Sequence, residues 1–208
     1  MRCATAGWKL TTLARYSART AAKFFERNIS KMTTEERLEK HLSQKPHIPV
    51  TAYVANEAVL IGDVMLGEFA SVWPGCVIRG DINFISIGAR TNVQDGTIIH
   101  LADDYGVEIE NDVTIGHGAI IHACKVEAEC LIGMRATIMD GAIIGRNSII
   151  GAGSLVTPKT LIPSGSLAIG SPAKVVRQLS EEEQAKIKNW ALKYVKVAAA
   201  HKAKFQSG

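Results

Sequence analysis

The chain has 208 residues, 47% of them apolar and 21% charged, with a formal net charge of +4. That length predicts one domain with extensions, and the composition excludes a wholly disordered chain. No stretch approaches the roughly 18 uninterrupted apolar residues of a membrane-spanning helix, and four scattered cysteines exclude a disulfide scaffold.

The first element in chain order is basic. Residues 1–31 hold seven Lys and Arg and one acid, Glu26, so the rest has 24 − 7 = 17 basic and 20 − 1 = 19 acidic residues, a net of −2. The positive charge therefore belongs to the N-terminus, and the mildly acidic body offers no footing for nucleic acid. Arg15, Arg19, Lys23, Arg27 and Lys31 recur every four residues along one drifting helical stripe. Leu13, Ala21, Phe24 and Phe25 fall largely away from it. Rich in Arg, Ser, Thr and Ala, the segment has the composition of a mitochondrial transit peptide, and its amphipathic face also suits an anionic membrane surface. Residues 1–45 are assigned to this targeting or amphipathic helical extension.

From residue 49 to residue 170 the chain repeats with a period of six. Ile132, Ile138, Ile144, Ile150, Val156 and Ile162 form the longest run, with a small residue four positions after most aliphatics, as at Ala136, Ala142 and Ser148. Glycine often follows the aliphatic directly, as at Gly88 and Gly133, where it is expected to ease the turn. Period six is neither helical nor alternating. It predicts an all-β parallel β-helix over residues 46–178, a prism of short strands with three strands and about 18 residues per coil. Two excesses break the period: four residues within 101–107, and three between Ile78 and Ile87. Both are expected to form loops on a functional face. Residues 179–208 follow as a C-terminal helix, opened by a Ser180–Glu183 capping box and expected to lie along the prism.

The register aligns two histidines. Stepping 99→109→115→121 is one full coil once the excess is removed, so His100 and His122 occupy the same phase in consecutive coils. Stacked at roughly 4.8 Å, two outward imidazoles can share a metal. His117 falls on a different edge of the triangle, so a neighbouring copy would have to bring its own, which predicts a metal between subunits. His41, His47 and His201 read as surface or hydrogen-bonded residues.

Trp73, Arg79-Gly80-Asp81, Asn92-Val93-Gln94-Asp95, His100, His117 and His122 together resemble the γ-class carbonic anhydrases over about residues 46–200. Among these the chain is most similar to the mitochondrial members that are subunits of respiratory complex I. The resemblance implies a left-handed coil and a homotrimer or a heterotrimer with paralogues. It also implies a zinc (or iron) site made by His100 and His122 of one chain with His117 of the next, open at its fourth position to water. Gln94 is then expected to orient the attacking hydroxide, Asn92 to lie near CO2 or bicarbonate, and Tyr194 to reach in from the tail helix. Arg79 and Asp81 are expected to tie subunits together beside the site, with Asp95 supporting the network. The sequence departs from the most active archetype: only Asp103 and Asp104 follow His100 in a shortened acidic loop, and Ile82 stands where that archetype carries glutamate. Turnover is therefore expected to be weak.

Three functions follow as expectations. The first is a zinc-dependent carbonic anhydrase on the matrix side of the mitochondrial inner membrane, in the complex I membrane arm. The second is a purely structural or assembly subunit of that complex. The third is a coenzyme A-dependent acyltransferase, the commonest use of hexapeptide folds, which needs only one histidine as general base.

Overall fold

The structure, a computed structural model, describes residues 32–205. The basic stripe of the N-terminal extension lies outside the described residues. The expected parallel β-helix is present, with three faces. The first carries β1 (Tyr53–Val54), β3 (Ser71–Val72), β5 (Asn92–Val93), β8 (Thr114–Ile115), β11 (Leu131–Ile132), β14 (Ile149–Ile150) and β17 (Ser166–Gly170). The second carries the first half of β2 (Val59–Leu66) and of β4 (Val77–Ile87), then β6 (Ile98–His100), β9 (Ile120–His122), β12 (Thr137–Ile138) and β15 (Leu155–Val156). The third carries the second halves of β2 and β4, then β7 (Val107–Ile109), β10 (Lys125–Val126), β13 (Ile143–Ile144) and β16 (Leu161–Ile162). Parallel partners within a face belong to successive coils, and only β18 (Ala173–Gln178) turns back, antiparallel to β17.

The aliphatic column lies where the period places it. Ile78, Ile99, Ile121, Ile138 and Val156 are all fully buried in one core cluster, with Cys76, Ala119 and Ala136 filling the spaces between. Burying each isoleucine contributes roughly 1.5–3 kcal/mol. Glycines after the aliphatics serve a different purpose from the one expected. A Cβ on Gly88 would stand 2.5 Å from the Glu110 carbonyl carbon, and one on Gly133 would stand 2.4 Å from the Ala152 nitrogen. Close stacking of coils excludes a side chain there, whereas the left-handed corners fall elsewhere and take even Phe69, Asp112 and Lys159.

The two excesses are not alike. Residues 101–106 form the expected loop between β6 and β7. The other excess stays inside β4: the register passes from Gly62↔Gly80 to Val64↔Ile85, so residues 81–84 bulge opposite Asp63. This is a correction to the expected loop, and its cause is packing. Asn83, buried at the bulge, donates its side-chain amide to the carbonyls of Ala102 (3.2 Å) and Asp103 (3.1 Å). Gly106 lies against Phe84, where a Cβ would stand 2.7 Å from the Phe84 carbonyl oxygen. The bulge and the loop therefore build one shelf beside His100. A shortening went unread in the sequence: β8 to β11 spans 131 − 114 = 17 residues, with Ala123 at φ 47° turning the chain immediately after His122.

Two helices flank the prism. Helix α1 (Thr34–His41) falls inside the N-terminal extension and carries a Thr33–Glu36 capping box. It packs against β4, with His41 Nδ1 donating to Asp63 Oδ2 at 2.7 Å. Helix α2 (Glu181–Phe205) runs along the first face over β1, β3, β5 and β8, as expected. Among the described residues no helix is long and apolar enough to cross a membrane.

Candidate metal centre

His100 and His122 are Cα partners in the β6–β9 pairing, so the sequence register holds. Each ends a strand whose middle residue (Ile99, Ile121) points into the core, which turns both imidazoles outward. His100 Nδ1 and His122 Nε2 face each other at 3.3 Å. The outer nitrogens are both engaged by carboxylates: His100 Nε2 with Asp81 at 3.2 Å, and His122 Nδ1 with Asp140 at 3.1 Å. An ionised carboxylate only accepts, so both outer nitrogens are donors. In neutral rings the inner nitrogens then present two facing lone pairs.

In that state the pair could hold a shared cation. Tetrahedral zinc with Zn–N bonds of about 2.0–2.1 Å sets its ligand nitrogens about 3.3–3.4 Å apart, which is the spacing between His100 and His122. Burial lowers the pKa of His100, outweighing the pull of Asp81, so the ring is neutral at pH 7 and fit to ligate. Burial also pushes the Asp81 carboxyl up, but hydrogen bonds from Arg79 and His100 overcome it and hold the group below its ordinary value. Arg79 Nη1 donates to Asp81 Oδ2, so guanidinium, carboxylate and imidazole form one line.

The remaining expected residues gather at another corner. Asn92 and Gln94 lie on and just after β5, with Asp95 next and His117 one coil above. His117 Nδ1 meets Asp95 Oδ2 at 2.9 Å. Gln94 Nε2 donates to Asn92 Oδ1 at 3.1 Å, and Asn92 Nδ2 donates to Thr114 Oγ1 at 2.9 Å, an ordered amide chain in a buried setting. Tyr194 on α2 packs edge-on against Trp73, ring centroids 5.6 Å apart. Burial, then the charge of Asp95, raises its phenol pKa.

The predicted residues thus fall into two groups at opposite margins of the second face. One holds Arg79, Asp81, His100 and His122; the other holds Asn92, Gln94, Asp95, His117 and Tyr194. Among the described residues, no three His, Cys, Asp or Glu groups converge on a metal position within one chain. Asp140 was not foreseen: stepping one coil of 17 from His122 lands on Met139, and Asp140 comes into reach only because the chain turns there.

The family model described as "Bacterial transferase hexapeptide (six repeats)" matches residues 123–158. The chain is 38% identical over 181 residues to "Gamma carbonic anhydrase 2, mitochondrial" of Arabidopsis thaliana, covering 79% of this chain but only 65% of the plant protein. It is 42% identical over 158 residues to the "Carbonic anhydrase" of Geobacillus kaustophilus, covering 76% of this chain and 87% of that one. Among solved structures, a candidate acetyltransferase of Bacillus cereus superposes with a TM-score of 0.76 at 42% identity, covering 77% of this chain and 94% of that chain. With a stacked histidine pair on a hexapeptide prism, and the Geobacillus carbonic anhydrase matched at 42% identity over 87% of its length, the chain belongs to the γ-class carbonic anhydrase family of hexapeptide-repeat proteins.

Proposed function

We propose that this chain is a metal-dependent carbonic anhydrase subunit that interconverts CO2 and bicarbonate at sites shared between neighbouring copies. The observation that carries this reading is the 3.3 Å approach of His100 Nδ1 and His122 Nε2, each ring anchored behind by its own carboxylate. His117 of the partner subunit would supply the third ligand. A bound zinc ion, or iron in its place, supplies Lewis acidity that brings the pKa of water near 7 and makes it a nucleophile toward CO2.

The chain's own residues do the rest. Asp81, itself held by Arg79, fixes the ring of His100. Gln94 commits its Nε2 to Asn92, which leaves Oε1 to accept a hydrogen bond and orient the attacking oxygen. Asn92 is in turn locked by Thr114 beside the substrate position. Tyr194 closes the apolar side together with Trp73. Asp103 and Asp104 lie exposed on the 101–106 loop and are the acceptors available for proton removal next to His100. With Ile82 partly buried against the core where the archetype carries glutamate, proton export is the slow part of turnover.

The finer setting follows from the family resemblance, the basic N-terminus and the mitochondrial relatives. We read the assembly as a trimer of identical or paralogous chains in the mitochondrial matrix, on the complex I membrane arm. A structural role there is compatible with catalysis. Acyl transfer accounts less well for the site, because a general base needs one histidine and gives no reason for a registered pair.

The test compares CO2 hydration by the zinc-loaded wild type, by the chelated protein and by His117→Ala. Chelation is expected to abolish the rate and zinc to restore it. The alanine variant, which lacks a ligand, is expected to lose at least the ~10- to 100-fold that removal of an outer-shell partner costs. Equal rates for all three would sink the proposal.

A further inference from the structure

The structure assigns Asp140 as the positioning residue that holds His122 in its metal-receiving tautomer, an inference that rests on the metal reading above. Asp140 lies in the turn after β12, on the coil above His122. Its Oδ2 is 3.1 Å from His122 Nδ1, with both side chains about one-third exposed.

The consequence is chemical. A free neutral imidazole places its proton on either nitrogen. If His122 carried it on Nε2, that N–H would point at His100 Nδ1, 3.3 Å away. The two rings would then satisfy each other by a hydrogen bond, and the space between them would be closed to a cation. Asp140 prevents this by accepting from Nδ1–H, since a carboxylate offers only lone pairs. His122 Nε2 is thereby left bare and aimed at its partner. Asp81 does the same for His100 from the coil below, through Nε2. The column thus reads carboxylate, imidazole, imidazole, carboxylate, with the open position at its centre.

The arrangement is also mechanically braced. The Lys159 amide donates to the Asp140 carbonyl at 2.8 Å, and the Gly141 amide donates to the Ala123 carbonyl at 2.7 Å. The turn bearing Asp140 is therefore tied to the coils on either side, and Ala123 is the residue that follows His122.

The test uses the full-length trimer, as wild type, Asp140→Ala and Asp140→Glu. In metal-free protein labelled with 15N-histidine, wild-type His122 is expected to show a protonated Nδ1 and a bare Nε2. Asp140→Ala is expected to shift that population toward protonated Nε2, and its zinc affinity, measured by chelator competition, to fall about 10- to 100-fold. Asp140→Glu, which keeps the carboxylate, is expected to recover affinity and tautomer toward wild type. An Asp140→Ala protein with unchanged tautomer and affinity overturns the assignment while leaving the metal site intact. Loss of affinity only in step with loss of the trimer overturns it as well, by making Asp140 structural. A wild type that binds no zinc overturns the metal reading itself.

Discussion

At the start of α2, Glu183 accepts from two guanidinium nitrogens of Arg177 at 2.7 Å each and from the Ser180 amide at 2.9 Å. The Arg177 bonds first, then the Ser180 amide, pull its carboxyl pKa from 4.5 to about 2. A carboxylate depressed in the folded state contributes stability that is fully present above its ordinary pKa and lost as pH falls through the folded one. The first turn of α2 is therefore expected to lose amide protection between pH 4.5 and about 2, with Glu183→Gln removing that pH dependence. Hydrogen exchange of the amides at 183–187, corrected for intrinsic rates, measures it; an unchanged profile in the variant counts against the idea. The Glu183 side chain is 36% exposed, so salt weakens the effect. Half of this cluster was legible, because Ser180 and Glu183 stand at capping-box spacing. Arg177 was not, since it lies on β18, six residues before Glu183 and outside the capping-box spacing.

Elements divide in the same way between what spacing encodes and what contact decides. The six-residue period places the main column of core aliphatics, and counting through the 101–107 excess places His100 beside His122. The same counting gave three extra residues before Ile87 but not their form. Whether extra residues leave the strand or bulge within it depends on what they meet, and here Asn83 meets two loop carbonyls. Likewise α1 carries a readable Thr33–Glu36 box, but it sits within a segment whose basic composition drew the reading elsewhere. Asn83→Ala should show what that contact is worth. Losing the donor to two carbonyls is expected to destabilise the fold by about 1–3 kcal/mol, read by chemical denaturation. The 101–106 loop should become the first point of limited proteolysis. Unchanged stability and cleavage would mean that the shelf is held by Phe84 and Gly106 packing alone.

The whole molecule places its two groups of candidate site residues on either side of one apolar strip. On the second face Val59, Val77, Ile98 and Ile120 are aligned strand to strand and remain between 36% and 46% exposed. His117 stands at the entry to β9 and His122 at its end, so the strip separates the two groups of candidate ligands. A head-to-tail contact that sets one margin of this face against the opposite margin of a second copy would join unlike halves. Repeated around a three-fold axis, such a contact closes into a ring with a complete site at each junction. The apolar rungs would then supply the association that the exposed histidines cannot. Replacing Ile98 and Ile120 together by lysine places charges in that contact without touching a ligand, at a cost of several kcal/mol per buried, unpaired ion. The double variant is expected to sediment as a folded monomer and to lose tight zinc binding, although His100, His117 and His122 are all present. A variant that stays trimeric would move the contact to another face. One that becomes monomeric yet binds zinc as tightly as wild type would place the whole site within a single chain.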